Sequence, residues 1–481
     1  MYRADHIIFF TIICILFSGI SVNAADAPFM VKEGLFNQSR PDDLGLTTAP
    51  GTETVTVFRP SDETDHFSNG VVMIGFKDHV YCQWQSSQTD EDAPETWVAY
   101  SRSSDGKVWS APMTLVPESD SGYHSSGGWW VNGDTLVAYI NMWPDDYTVR
   151  GGYTQYKTST DGINWSEIKH LPMADGTRLN GIFEQNPHRL PSGRIIGAAH
   201  FQPGLFVRPV YTDDPSGIRG WKKGNITTLP SSGNNSREME PSSFYRADNA
   251  VVMVFRDQSS TFFRLASVSN DFGANWTVPV LTNMPDSRSK QSAGNLPDGT
   301  AFQVGNPVNN KTRVPLVISL SKDGLMFDKA FVLREGGSGL QSLRYAGKAK
   351  SAGYSYPKST IWNDYLYVSY ATNKEDVEFT RVPLTSLYQN ATIIDRSHLS
   401  KSDPVNFSFS PLGGNLIKVS LGEYGGPGKI MVYDVSGKLI NRSELVKGKS
   451  VVEMKNRHGV FIFMVTADHG KIYKAQFGFA Q

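Results

Sequence analysis

The sequence predicts an all-β chain: a β-propeller of six or seven blades followed by a small C-terminal β-sandwich. Two observations carry this. A turn of the form Ser-x-Asp-Gly, with one residue inserted before the Gly in one copy, recurs at a steady interval through the middle of the chain, with short strand-like runs between its copies. Gly (44 residues) and aromatic side chains (12%) are abundant among many Ser, Thr and Asn turns, which favours strands with frequent reversals. Composition also narrows function. With 39% hydrophobic and 19% charged residues the 481-residue chain is globular rather than disordered. A formal net charge of -1 lacks the basic balance of a nucleic-acid binder.

In chain order, Arg3 and His6 precede an apolar run over residues 7–20, and Ser21-Val22-Asn23-Ala24 places small residues before a cut. This pattern reads as a secretory signal peptide over residues 1–24. The run is about 14 residues, short of the roughly 20 of a membrane-spanning helix, so no transmembrane segment is expected. The expected location is secreted or cell-surface, with export through the periplasm. Cys14 lies in the leader, which leaves Cys82 without an intramolecular disulfide partner and excludes a multi-Cys zinc site. Its setting, Val80-Tyr81-Cys82-Gln83-Trp84, is that of a buried, inert thiol.

The repeat begins with Ser103-Ser104-Asp105-Gly106-Lys107-Val108-Trp109 and recurs as Ser159-Thr160-Asp161-Gly162-Ile163-Asn164-Trp165. It returns as Ser269-Asn270-Asp271-Phe272-Gly273-Ala274-Asn275-Trp276, and in weaker form as Ser321-Lys322-Asp323-Gly324-Leu325-Met326-Phe327. The aspartates stand 56, 110 and 52 residues apart, and Thr212-Asp213-Asp214-Pro215 fills the double interval as a degenerate copy. Asp accepts backbone N–H bonds, Gly takes the positive-φ position and the aromatic packs beside the next strand, so these residues are structural. The copies resemble the Asp-box repeats of sialidase-like β-propellers, and the resemblance covers roughly residues 50–390. A period near 55 residues suits a four-stranded blade, inner strands begin near His66, His124, Glu184, Glu240, Lys290 and Tyr356, and Val55-Thr56-Val57-Phe58 is placed to close the ring. The propeller is assigned to residues 25–390.

A linker over residues 391–404 leads to short strand-like runs assigned to a sandwich over residues 405–481. Val432-Tyr433-Asp434, Ser436-Gly437-Lys438, Gly459-Val460-Phe461 and Lys471 resemble the C-terminal sorting domain of type IX secretion, although the usual opening Asn-Pro motif is absent. The resemblance implies the type IX machinery as a partner. A carbohydrate-binding module is the competing reading.

In a propeller, inner-strand starts and second-strand ends meet around the axis, on the face opposite the Asp-box turns. Four of the ten histidines (His66, His124, His188, His200) map to that face, which suits acid–base work. Trp143 offers an aromatic surface for stacking a sugar. No His-x-x-x-His spacing supports a metal site, and neither a metal nor a cofactor is expected.

Sialidases carry an Arg-Ile-Pro motif on the first inner strand, two further arginines on the substrate carboxylate and a Tyr/Glu nucleophile pair. Here that strand reads His66-Phe67-Ser68-Asn69-Gly70-Val71-Val72 and has no Arg. The segments Tyr123-His124-Ser125-Ser126-Gly127-Gly128, Asp90-Glu91-Asp92-Ala93-Pro94 and Glu184-Gln185-Asn186-Pro187-His188 instead resemble propeller polysaccharide lyases of the ulvan-lyase type. That resemblance implies β-elimination on an acidic, uronate-containing polysaccharide. Its catalytic set would be His124 as base, Tyr245 or His188 as acid, and Arg208 or Arg256 as carboxylate neutraliser. Trp143, His200, Glu240, Lys290 and Tyr356 would contact substrate. A sialidase-like glycoside hydrolase and a noncatalytic glycan-binding propeller are the alternative readings.

Overall fold

A computed structural model describes residues 27–388 and, with short gaps, the strands between 407 and 479. The leader, the linker and Ser436-Gly437-Lys438 lie outside the described residues. The chain forms a six-bladed β-propeller with additional C-terminal strands. Blade one is a meander of Phe67–Phe76, His79–Ser87, Trp97–Ser103 and Met113–Val116. Blade two follows with Gly122–Asn132, Thr135–Pro144, Tyr153–Ser159 and Lys169–His170. Blade three has an interrupted inner strand, because Gly181–Ile182 and His188–Arg189 both pair with Ile195–Phe201. Blades four and five start from Glu238–Tyr245 and Ser292–Asn295.

The last blade is made from both ends of the propeller. Tyr354–Trp362, Tyr365–Thr372 and Asp376–Pro383 supply its inner strands, and Glu53–Phe58 pairs antiparallel with Asp376–Pro383 as the outermost. The ring-closing segment is therefore the one the sequence indicated. No seventh blade stands among the described residues, and the count is six.

Each Asp box is a self-contained knot of hydrogen bonds. In blade two the Ser159 hydroxyl donates to Asp161 at 2.9 Å, and the Asp161 carboxylate accepts the N–H groups of Ile163 and Asn164 at 2.9 and 2.8 Å. Those donors hold the Asp161 carboxyl well below the usual carboxylate range. Gly162 has φ +69°, and a Cβ there would lie 2.1 Å from the Tyr81 hydroxyl, so the turn closes on blade one only with glycine. The degenerate copy works likewise: Asp214 accepts from the Ser216 N–H at 2.9 Å, and Gly217 O accepts from the Tyr139 hydroxyl at 2.7 Å.

Apolar cores lie between neighbouring blades. Val71, Met73, Cys82 and Trp84 of blade one pack against Tyr367, Ala371 and Phe379 of the last blade. Cys82 is 0% exposed, and burial pushes its thiol pKa up, as its apolar surroundings in the sequence suggested. The C-terminal strands form a three-stranded and a four-stranded sheet, with Ile417, Val419, Ile430, Val432, Phe463 and Val465 buried in one cluster. No helix among the described residues is long and apolar enough to cross a membrane.

Closure by Glu53–Phe58 gives the first test. Removing residues 27–60 leaves Asp376–Pro383 as an unpaired edge and uncovers the bed of Phe29 and Phe36 on blades four and five. Such a chain is expected to melt at lower temperature and to associate, as read by thermal unfolding and gel filtration.

Candidate functional site

The starts of the inner strands surround a cavity of about 270 Å³ at the face opposite the Asp boxes. Four of these strands carry a β-bulge at the same level: between Asn69 and Val72, Ser126 and Gly128, Met239 and Ser242, and Ser355 and Lys358. A bulge inserts an extra residue and re-aims the side chains around it. At three of them the backbone enters the left-handed region: Gly70 at φ +65°, Glu240 at φ +52° and Tyr356 at φ +55°. Glycine adopts that conformation without penalty, whereas at Glu and Tyr it costs on the order of 1–3 kcal/mol and is held by surrounding contacts. Glu240 and Tyr356 both line the cavity.

Glu240 is held from two sides. Arg256 Nη1 donates to both of its carboxylate oxygens at 3.2 Å, and the Glu240 N–H donates to His200 Nε2 at 3.2 Å. That bond requires Nε2 to be unprotonated, and burial lowers the His200 pKa in the same sense. His200 Nδ1 faces Glu184 Oε2 at 3.7 Å, and Lys290 Nζ donates to the same oxygen at 3.0 Å. Burial opposes ionisation of Glu184, but Lys290 and His200 outweigh it and hold the carboxyl below its usual range. Arg256 Nε is buried without a hydrogen-bond partner, as is Nε of Arg288, whose charge acts on Arg256. Of the two, Arg256 lines the cavity.

On the side of blades one and two, Arg150 forms an ion pair with Asp92 at 2.6 Å and covers Trp143, 4.6 Å from the ring. Trp143 in turn stacks on Tyr123 at 5.7 Å, and the Tyr123 hydroxyl donates to Asp92 at 2.9 Å. Glu91 accepts from Asn69 at 3.0 Å and from Lys374 at 2.8 Å. Among the described residues no group of three or more His, Cys, Asp or Glu is arranged to hold a metal ion.

Six residues singled out from the sequence converge here: Arg256, Trp143, His200, Glu240, Lys290 and Tyr356. The other four do not, and the expectation that they form one site with these is corrected. His124 neighbours the cavity residue Ser125, but alternation along the strand turns its ring away, with Nδ1 3.1 Å from the Pro117 carbonyl. His188 and Tyr245 line a separate hollow of about 240 Å³ with Asn295 and Ile361. They lie four and five residues beyond Glu184 and Glu240, which carries them roughly 15 Å down the inner strands, toward the Asp-box end. Burial lowers the His188 imidazole to about 4. Arg208, on Phe206–Thr212, spends Nη1 on the Ile226 carbonyl at 3.0 Å.

The assigned set omitted Glu91, Asp92, Arg150, Glu184 and Lys358, all of which line the cavity. Glu184 and Lys358 occupy inner-strand starts, a rule that selects them from sequence. Arg150 sits in a connection after Thr135–Pro144, where no strand pattern marks it.

The fold and the axial cavity define a sialidase-like propeller. The chain matches the model of the BNR repeat-like domain over residues 78–368, and it belongs to that family. Among solved structures it is similar to a sialidase at 18% identity and TM-score 0.53, covering 94% of this chain and 49% of that one. The chain thus spans about half the length of that sialidase. The Trypanosoma rangeli sialidase is similar at 12% identity and TM-score 0.54, with 89% of each chain covered. A protein of unknown function from Dyadobacter fermentans DSM 18053 is similar at 15% identity and TM-score 0.53, over 69% of this chain and 99% of that one. At these identities the likeness shows the fold alone. No curated protein matches the chain.

The Arg256–Glu240 pair supplies the second test. Side-chain exposures of 15% and 9% make it a largely buried pair, and removing one partner strands the other charge. Arg256→Met is expected to destabilise the fold by about 3–5 kcal/mol, and Arg256→Met with Glu240→Leu by much less. Denaturant unfolding of the two variants reads the difference.

Proposed function

We propose that this protein is a glycan-active enzyme that hydrolyses a glycosidic bond of a sugar bearing an anionic group. The observation that carries this is the strained pair Glu240 and Tyr356, both turned into one cavity by bulges and flanked by Arg256. They suit the Tyr/Glu nucleophile pair that the sialidase resemblance implies. Burial and the Glu240 charge raise the Tyr356 pKa while Arg313 and Arg256 act against them, so the resting side chain is a phenol.

In the reaction, Glu240 takes the Tyr356 proton as the phenolic oxygen bonds to the anomeric carbon. The bond from that carbon to the glycosidic oxygen breaks, and the departing oxygen takes a proton from solvent. Water then displaces the tyrosyl oxygen. Arg256, which lines the cavity, offers its guanidinium to the sugar's acidic group. The first inner strand presents Asn69 and Gly70 instead of an arginine, so the grip differs from the three-arginine pattern.

The β-elimination reading retains one support, since Arg256, Lys290 and Lys358 line the cavity as carboxylate neutralisation requires. It lacks a base: His124 is turned away, and His200 Nε2 is engaged by Glu240. The deciding experiment incubates purified protein with sialylated and uronate-containing glycans and follows both reducing ends and ultraviolet absorbance. New reducing ends without unsaturated product are expected. Tyr356→Phe should abolish them, a loss of at least about 10²-fold, whereas His124→Ala should retain most of the rate. Accumulation of a 4,5-unsaturated uronate would overturn hydrolysis in favour of elimination.

We further propose that the protein is exported and that the strands from Phe407 onward serve sorting rather than turnover. The support is that the cavity is lined by propeller residues, from Asn69 to Lys358. A chain ending at Tyr388 is expected to fold and to keep its rate on soluble glycan. A folded but inactive chain of that length would show that the C-terminal strands take part in the reaction.

A further inference from the structure

The cations that line the cavity are paired, with one exception. Arg150 pairs with Asp92, Arg256 with Glu240 and Lys290 with Glu184. Lys358 also lines the cavity and is 3% exposed, yet no carboxylate lies within ion-pair distance of it among the described residues. Its Nζ donates to a single acceptor, the Gly70 carbonyl at 2.9 Å, which already accepts the Ser126 hydroxyl at 2.6 Å. A lysine ammonium carries three donors, so two would stand buried beside the cavity without an acceptor. The charged and titratable groups acting on it are Lys290, Glu184, Cys82 and Glu240. Burial and the neighbouring Lys290 charge disfavour the ammonium and outweigh Glu184 and Glu240, which lowers the pKa of the Lys358 amine.

We propose that Lys358 is the core of a second anion subsite of the cavity, which takes a carboxylate or sulfate ester of the glycan. This rests on the reading of the cavity as a site for an acidic glycan, and it sharpens the substrate class to a unit with two anionic groups. One would sit on the Arg256 guanidinium and one on Lys358. An anionic oxygen supplies both the missing counter-charge and the missing acceptor. It therefore favours the ammonium, and the proton comes from bulk water. By linkage, affinity at this subsite falls as pH rises, whereas binding at Arg256 takes up no proton, because guanidinium is charged throughout.

Calorimetric titration of inorganic sulfate and of D-glucuronate, at about pH 8 in buffers of different ionisation heat, separates the two subsites. Wild type is expected to bind with proton uptake, and Lys358→Met to lose that uptake while retaining the proton-neutral event. Arg256→Lys, which keeps the charge beside Glu240 but not the planar fork, should lose the neutral event and keep the uptake. Comparing sulfate with glucuronate shows which anion the subsite takes; uptake with either supports the proposal. Binding without proton uptake in wild type, no binding of either anion, or undiminished uptake in Lys358→Met would overturn it. Should Lys358→Met not fold, the wild type decides: affinity that falls as pH rises supports the subsite, and a flat profile overturns it. Turnover is measured separately, so a protein that takes up the proton but cleaves no glycoside would sink hydrolysis and leave the subsite standing.

Discussion

Everything in this molecule depends on closing the ring of sheets. A blade left with an open edge exposes a row of unpaired backbone groups, and the strand Glu53–Phe58 removes that edge by pairing with Asp376–Pro383. Side chains reinforce the seam: Arg381 Nη2 meets Glu53 at 2.6 Å, and Thr54 and Thr380 share a hydrogen bond at 2.9 Å. Once the ring is closed, the inner strands converge on one axis. Their first residues then share a narrow space, and polar groups there must find partners in one another or in a ligand.

The bulges determine which groups enter that space. Without an extra residue, strict alternation would carry one face of each strand toward the axis from end to end. The shifts at Asn69/Val72, Met239/Ser242 and Ser355/Lys358 break that alternation and turn Glu240 and Tyr356 inward at positive φ. His200 of blade three and Arg256 of blade four hold Glu240 in this conformation, so the strained residue is stabilised from a neighbouring sheet and from its own. The Asp-box turns occupy the opposite face and close themselves locally, which leaves the axial cavity free for chemistry.

The electrostatics of the cavity follow from the same crowding. Carboxylates and cations alternate around the axis, and most charges are cancelled by a neighbour within the protein. What stays unmet is donor in sense: the Nε group of Arg256 and the amine of Lys358. A site of this kind discriminates by unmet hydrogen bonds rather than by net charge, since a neutral sugar would leave the same donors buried and unsatisfied.

The fold was legible in the sequence because its signature is local. An Asp that accepts two or three N–H groups within its own turn needs no distant partner, so Asp105, Asp161, Asp271 and Asp323 announce the blades wherever they stand. The inner-strand starts were legible for the same reason, and through them Glu240, Lys290 and Tyr356. The placement of His124, His188 and Tyr245 was not, because it turns on side-chain direction and on distance along the axis. A single inserted residue in a strand reverses every side chain after it, and nothing in the residues near His124 records which way its ring faces. Arg150 and Asp92 belong to connections whose course is set by the blades they cross. The sequence by itself thus determined the repeat, the strand count within one blade and the rim that carries the candidate site. Only the tertiary structure decided which groups meet, because contacts around the axis join residues as distant as Gly70 and Lys358 and depend on the register of every strand between them.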